Sequence, residues 1–133
     1  MNIAWLIPCR YVEVHDNLGT IVGAGVDTFW LEQLPSAIQV MLAIRLVGLP
    51  EEFTPEVEYR TATRIKDPSG EIMSEVSGGA RIGADSARPD YLVGVTMPIA
   101  VGFEVAEEGT YAIEFEFGEA WSSIPIRVVQ GVP

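Results

Sequence analysis

The chain has 133 residues, 48% hydrophobic and 20% charged, a composition that excludes extended disorder and fits one domain able to bury its own core. Eight basic side chains face nineteen acidic ones, and the formal charge of −11 repels phosphate, so neither nucleic acid nor an anionic membrane surface is an expected partner. Cys9 is the single cysteine, which excludes an internal disulfide; with no secretion leader and no apolar run of about eighteen residues, the expected location is the cytoplasm.

The first third reads as a long hairpin. Residues 3–14 and 20–30 are strand-like, and Asp16-Asn17-Leu18-Gly19 between them supplies turn formers, with glycine for a positive φ. Gly23-Ala24-Gly25 marks a bulge or a close approach by another backbone or a ligand. Residues 30–36 are the expected place for a short helical turn. Ile38, Val40, Leu42, Ile44 and Leu46 then alternate with Gln39, Met41, Ala43, Arg45 and Val47, the pattern of a long core strand with one wholly apolar face.

Val57, Tyr59, Thr61, Thr63 and Ile65 alternate with Glu58, Arg60, Ala62, Arg64 and Lys66, which predicts a strand with a wet outer face. A short strand over 71–77 follows, then a long irregular connection over 78–90. Val93, Val95, Met97, Ile99, Val101, Phe103 and Val105 form an apolar row in which Pro98 implies a break, a bulge or an edge. Tyr111, Ile113, Phe115 and Phe117 alternate with polar partners, and Ile124, Ile126 and Val128 close the series. Pro125 places this last strand near an edge as well. Eight strands joined mostly by turns, without crossover helices, predict a single domain over residues 1–133. The expected fold is an all-β antiparallel sandwich, Ig-like or jelly-roll-like, with at most one or two helical turns.

Gly23-Ala24-Gly25-Val26-Asp27, Leu34-Pro35, Arg45-Leu46, Asp67-Pro68-Ser69-Gly70, Met97-Pro98, Gly109-Thr110-Tyr111 and Ile124-Pro125-Ile126-Arg127-Val128 occur in this order along nearly the whole chain. Together they resemble a family of small uncharacterised bacterial β-sandwich proteins. The resemblance implies a sandwich of bacterial or phage source; it carries no activity and no functional residues.

One His and one Cys fall short of the three or four ligands of a structural zinc, and no metal or other cofactor is expected. Six residues of extended chain separate Cys9 from His15 by roughly 20 Å, too far for a nucleophile-base pair, so Cys9 reads as a small buried hydrophobe. No Gly-x-Ser-x-Gly elbow, P-loop or dinucleotide fingerprint occurs. If successive strands are antiparallel, one end of the sandwich gathers Glu13, His15, Asp16, Glu51, Asp85, Asp90 and Trp121, with Glu52, Arg81, Arg88 and Glu119 nearby. Carboxylates with an indole there fit calcium or a sugar, while Asp27, Trp30, Glu32, Asp67, Glu107 and Glu108 make the other end equally acidic. Acid-base hydrolysis would rest on carboxylates such as Glu13 and Asp85, whose separation the sequence does not set.

The mean hydropathy of +0.24, with apolar Met41, Ala43, Val47 and Val129 on nominally outer positions, points to cover by a second subunit. The expected function is therefore a non-catalytic binding or structural module that self-associates or docks another protein. The alternative is a small-ligand, carbohydrate or calcium binder at the His15 end.

Overall fold

The computed structural model describes residues 1–83 and 92–133. Its strands are β1 (Asn2–Cys9), β2 (Tyr11–His15), β3 (Leu18–Val22), β4 (Thr28–Leu31), β5 (Ser36–Gly48), β6 (Glu58–Lys66), β7 (Ile72–Arg81), β8 (Val93–Val105), β9 (Gly109–Phe117) and β10 (Ala120–Gln130). A three-stranded sheet, β1-β5-β8, faces a five-stranded sheet, β4-β10-β9-β6-β7. The β2-β3 hairpin is a third, separate layer. The fold is the expected all-β sandwich, and its pairs are antiparallel except β4, which runs parallel to β10. No helix among the described residues is long and apolar enough to cross a membrane.

The period-two rows settle which side chains meet. Ile38, Val40, Leu42, Ile44 and Leu46 of β5 pack in one cluster with Tyr111, Ile113, Phe115 and Phe117 of β9 and Ile126 and Val128 of β10. All are buried, and each such aliphatic or aromatic side chain contributes roughly 1.5–3 kcal/mol by leaving water. The buried Tyr111 keeps its hydroxyl satisfied by donating to the Glu107 carbonyl at 2.8 Å, which ties the β8–β9 corner to the core.

The N-terminal third departs from the long hairpin read in the sequence, and this accounts for ten strands where eight were expected. β1 pairs with β5, β2 pairs with β3 alone, and β4 joins the far sheet. The cause is a second apolar surface. A bulge between Ile3 and Trp5 shifts the parity of β1, so Ile3 and Leu6 point into the main core while Trp5 and Ile7 point out. Those outward residues, with Met41, Ala43 and Cys9, are covered by Val12, Val14 and Ile21 of the hairpin. Ala43 is wholly buried and Met41 half-buried, so the chain itself covers two of the four outer positions expected to meet a second subunit; Val47 and Val129 are half-buried. Cys9 is buried as expected, and burial raises its thiol pKa.

Local details follow from the same packing. Asp16 and Asn17, not Gly19, carry the positive φ of the hairpin turn, at 50° and 61°, a two-residue turn matching the twist of its strands. Gly23-Ala24-Gly25 is a turn at which another backbone comes close, the second of the two expected alternatives, and not a bulge. Gly23 has φ of 66°, the Gly25 N–H bonds the Pro8 carbonyl at 2.8 Å, and a Cβ at Gly23 would strike the Arg10 side chain. The helical turn is a 3-10 turn at Pro50–Glu52 instead of 30–36: proline presets the first φ, and the Glu52 carboxylate accepts the Leu49 N–H at 2.7 Å.

Pro98 and Pro125 both avoid a cost. β8 is unbroken and pairs with β5 along its whole length, with Pro98 on an end strand. β10 is an interior strand, contrary to the edge position inferred from Pro125. However, β4 covers only Arg127–Gln130, so Pro125 precedes the stretch where β10 needs N–H donors on that side.

Candidate docking surface

An end strand exposes a row of backbone N–H and C=O groups that recruits further strands unless something blunts it. Among the described residues four strands end the two main sheets, and three of them are blunted. β4 has only four residues. β1 carries Pro8 and its bulge. β8 is closed by the hairpin tip: the Asn17 Oδ1 accepts the Thr96 N–H at 2.7 Å and its Nδ2 donates to the Gly94 carbonyl, as a neighbouring strand would. These bonds show that even-numbered residues of β8 turn their polar groups outward. Pro98 therefore lacks only an outward N–H, and it blocks the edge further along.

β7 is different. Its register slips only near Ile72–Ser74, and from Ser74 to Arg81 it is regular and free of proline. The Gly118 N–H donates to the Arg60 carbonyl at 2.8 Å, so Arg60 faces β9 and Thr61 faces β7. Gly78, opposite Thr61, accordingly turns its polar groups back to β6. By alternation Glu75, Ser77, Gly79 and Arg81 direct their N–H and C=O groups away from the sheet.

Three strands lie over five, and β7 extends past the smaller sheet. Among the described residues nothing covers the inward Val76, which is 71% exposed, while Ala80 packs partly against the core. Between Thr61, Thr63 and Val76 on one side and Met97 and Ile99 of β8 on the other lies an apolar cleft of about 340 Å³, floored by Phe115 and Phe117. On the outer face the charges are matched. Arg64 donates to Glu116 at 2.8 Å and to Glu75 at 2.9 Å, and Lys66 pairs with Glu114 at 2.9 Å. The hydrogen bonds from Glu116 and then Glu75 raise the Arg64 pKa further, so this guanidinium is a fixed positive charge.

The residues proposed for a ligand-binding rim divide into separate groups. Glu13 and His15 do meet, with His15 Nε2 bonded to Glu13 Oε1 and the Tyr11 hydroxyl donating to Oε2 at 3.3 Å. The His15 bond, then its charge, holds the Glu13 carboxyl below its usual range. This exposed row lies on the hairpin, outside the three-stranded sheet. Asp16 belongs to the turn, and Glu51 is exposed on the 3-10 turn. Trp121, 67% exposed, lies on the outer face of the five-stranded sheet, the opposite side of the sandwich. There it borders a hollow of about 220 Å³ with Arg64, Glu114 and Glu116. Asp85, Arg88 and Asp90 lie outside the described residues. Among the described residues no three His, Cys, Asp or Glu side chains cluster to hold a metal ion.

The β7 edge was missed in the sequence because Gly78 and Gly79 read as loop. The expected strand over 71–77 in fact continues to Arg81. The available signal was the period two of Val76, Gly78 and Ala80 against Glu75, Ser77 and Arg81, with glycines standing where side chains usually carry the pattern.

No protein-family model, curated protein or solved structure matches the chain.

Proposed function

We propose that this chain is a non-catalytic docking module that takes an extended protein segment, as an added strand, onto the edge of β7 that no other described strand pairs. The observation that supports this reading most is the contrast among the four end strands: β4, β1 and β8 are short, bulged or capped, while Ser74–Arg81 keeps a regular row of outward N–H and C=O groups. Backbone bonds supply affinity, and the cleft beneath Val76 supplies selection for an apolar side chain at alternate positions of the segment.

A library of immobilised extended peptides tests it. The protein selects segments with alternating apolar side chains, and binding slows amide exchange at Glu75, Ser77, Gly79 and Arg81, leaving Val76, Gly78 and Ala80, already bonded to β6, unchanged. Val76→Lys abolishes the selection. Selection of helical peptides, of none, or with protection elsewhere overturns the proposal.

The small-ligand reading keeps one observation in its favour, at a different place from the rim: the exposed Trp121 beside the Arg64, Glu114 and Glu116 hollow. A sugar stacked on this indole would change its fluorescence, and a sugar panel that leaves the fluorescence of wild type and Trp121→Ala equally unaffected removes this reading.

A further inference from the structure

We infer that the segment taken up by β7 is the β7 of a second copy of this chain, joined antiparallel about a two-fold axis through Gly78. The inference rests on the docking reading and names its partner.

The argument starts from the pleat. A two-fold axis perpendicular to the sheet keeps inner faces together, so inward residues must oppose inward residues across the joint. Glu75, Ser77, Gly79 and Arg81 present their polar groups at the free edge and must bond one another. Centred on Gly78, Ser77 bonds Gly79 of the second copy, Val76 lies opposite Ala80, and Glu75 lies opposite Arg81. The stretch Glu75 to Arg81 is thus self-complementary. The joint sets an acid against a base twice, a branched apolar residue against a small one twice, and glycine against glycine once, at the axis.

Other registers lose this match. Centring on Ser77 sets Glu75 opposite Gly79 and Met73 opposite Arg81. Centring on Val76 draws the slipped Ile72–Ser74 stretch into the joint. The Gly78 register alone uses the regular part of β7 and pairs both charges. Arg81 can turn toward the second copy: its side chain is 60% exposed, and it is held only by long contacts, 3.6 Å to Glu58 and 3.4 Å to the Pro55 carbonyl. Glu75 is 35% exposed and retains one oxygen beyond its bond to Arg64. The net charge of −11 opposes association at low salt. The joint itself is neutral, and at physiological ionic strength charges farther than about 8 Å are largely screened.

Sedimentation equilibrium in physiological salt, up to about 0.5 mM protein, reads the result. Wild type is expected to be a dimer in exchange with monomer. Glu75→Lys and Arg81→Glu each set like charges opposite one another twice and weaken the dimer roughly tenfold or more. The double variant Glu75→Lys with Arg81→Glu restores opposite charges and recovers most of the affinity. An equimolar mixture of the two single variants forms the mixed dimer in preference to either homodimer, because the introduced lysine then faces the introduced glutamate and the native Glu75 and Arg81 face each other at the other end of the joint. Denaturant midpoints verify that each variant is folded, and if Glu75→Lys unfolds through loss of its Arg64 bond, Arg81→Glu decides alone. A monomer at all concentrations overturns the inference; the docking reading then stands or falls on peptide selection. A dimer indifferent to both charge reversals overturns it as well, since association would lie on another face.

Discussion

Asn17 fixes the hairpin on the sandwich, and replacing it in two ways separates the two things it does. Its backbone holds a φ of 61°, its amide bridges the Thr96 N–H and the Gly94 carbonyl, and Arg45 reinforces the corner with a 2.7 Å bond to the Thr96 hydroxyl. Asn17→Gly keeps the turn but leaves the N–H of Thr96, a residue only 7% exposed, without its acceptor. A buried unsatisfied donor costs about 1–3 kcal/mol. Asn17→Ala loses the same bonds but, unlike glycine, keeps a Cβ in left-handed backbone, about 1–2 kcal/mol worse than glycine there. The expected losses are therefore about 2 kcal/mol for glycine and about 3 kcal/mol for alanine. Urea unfolding at unchanged slope measures both, and amide exchange at Thr96 accelerates in each variant. Equal losses for glycine and alanine would refute the backbone part of this reasoning, and wild-type midpoints for both would refute all of it.

Four further outcomes are expected. Ala43→Asp puts a charge under the hairpin and destabilises the chain by more than about 3 kcal/mol in urea titration, where an open outer position would change by less than about 0.5 kcal/mol. Tyr111→Phe strands the Glu107 carbonyl and lowers the unfolding free energy by about 1–2 kcal/mol, read from the same titration. Stability falls on acidification. The Glu52 carboxyl is held low chiefly by its bond to the terminal amine, and Asp67 by its bonds to Ser69 and then Glu71 and Gly70. Their contribution is complete above the unfolded carboxylate range near about 4 and disappears as pH drops through their lowered folded values, so Asp67→Asn flattens the acid limb of a stability-pH curve. Val76→Lys, which changes a side chain 71% exposed, leaves the unfolding midpoint of the isolated chain within about 0.5 kcal/mol of wild type while removing docking.

The alternation of Ile38 to Leu46, of Val93 to Val105 and of Tyr111 to Phe117 is a local property, because successive side chains of an extended chain point to opposite sides whatever lies around them. It was sufficient for the fold class and for most of the buried residues. The candidate surface was far less legible. Glycines at 78 and 79 carry no pattern, and the strand they belong to exists because β6 supplies a ladder along its whole length. The described members of the rim built on alternating strand directions do not come together, because β2 and β3 leave the sheets altogether, which puts His15 and Trp121 on opposite outer faces.

What the sequence by itself determined was which residues must leave water: two apolar rows facing each other and a buried lone cysteine. Only the tertiary structure decided how the strands are shared among sheets, since pairing depends on which apolar surface finds which cover. A bulge of one residue in β1 creates a second surface that recruits the hairpin, the hairpin tip caps β8, and unequal sheet widths leave β7 uncovered among the described residues. Edges belong to a sheet and not to a strand, so the period two that marks Ser74–Arg81 as a strand does not mark it as an edge.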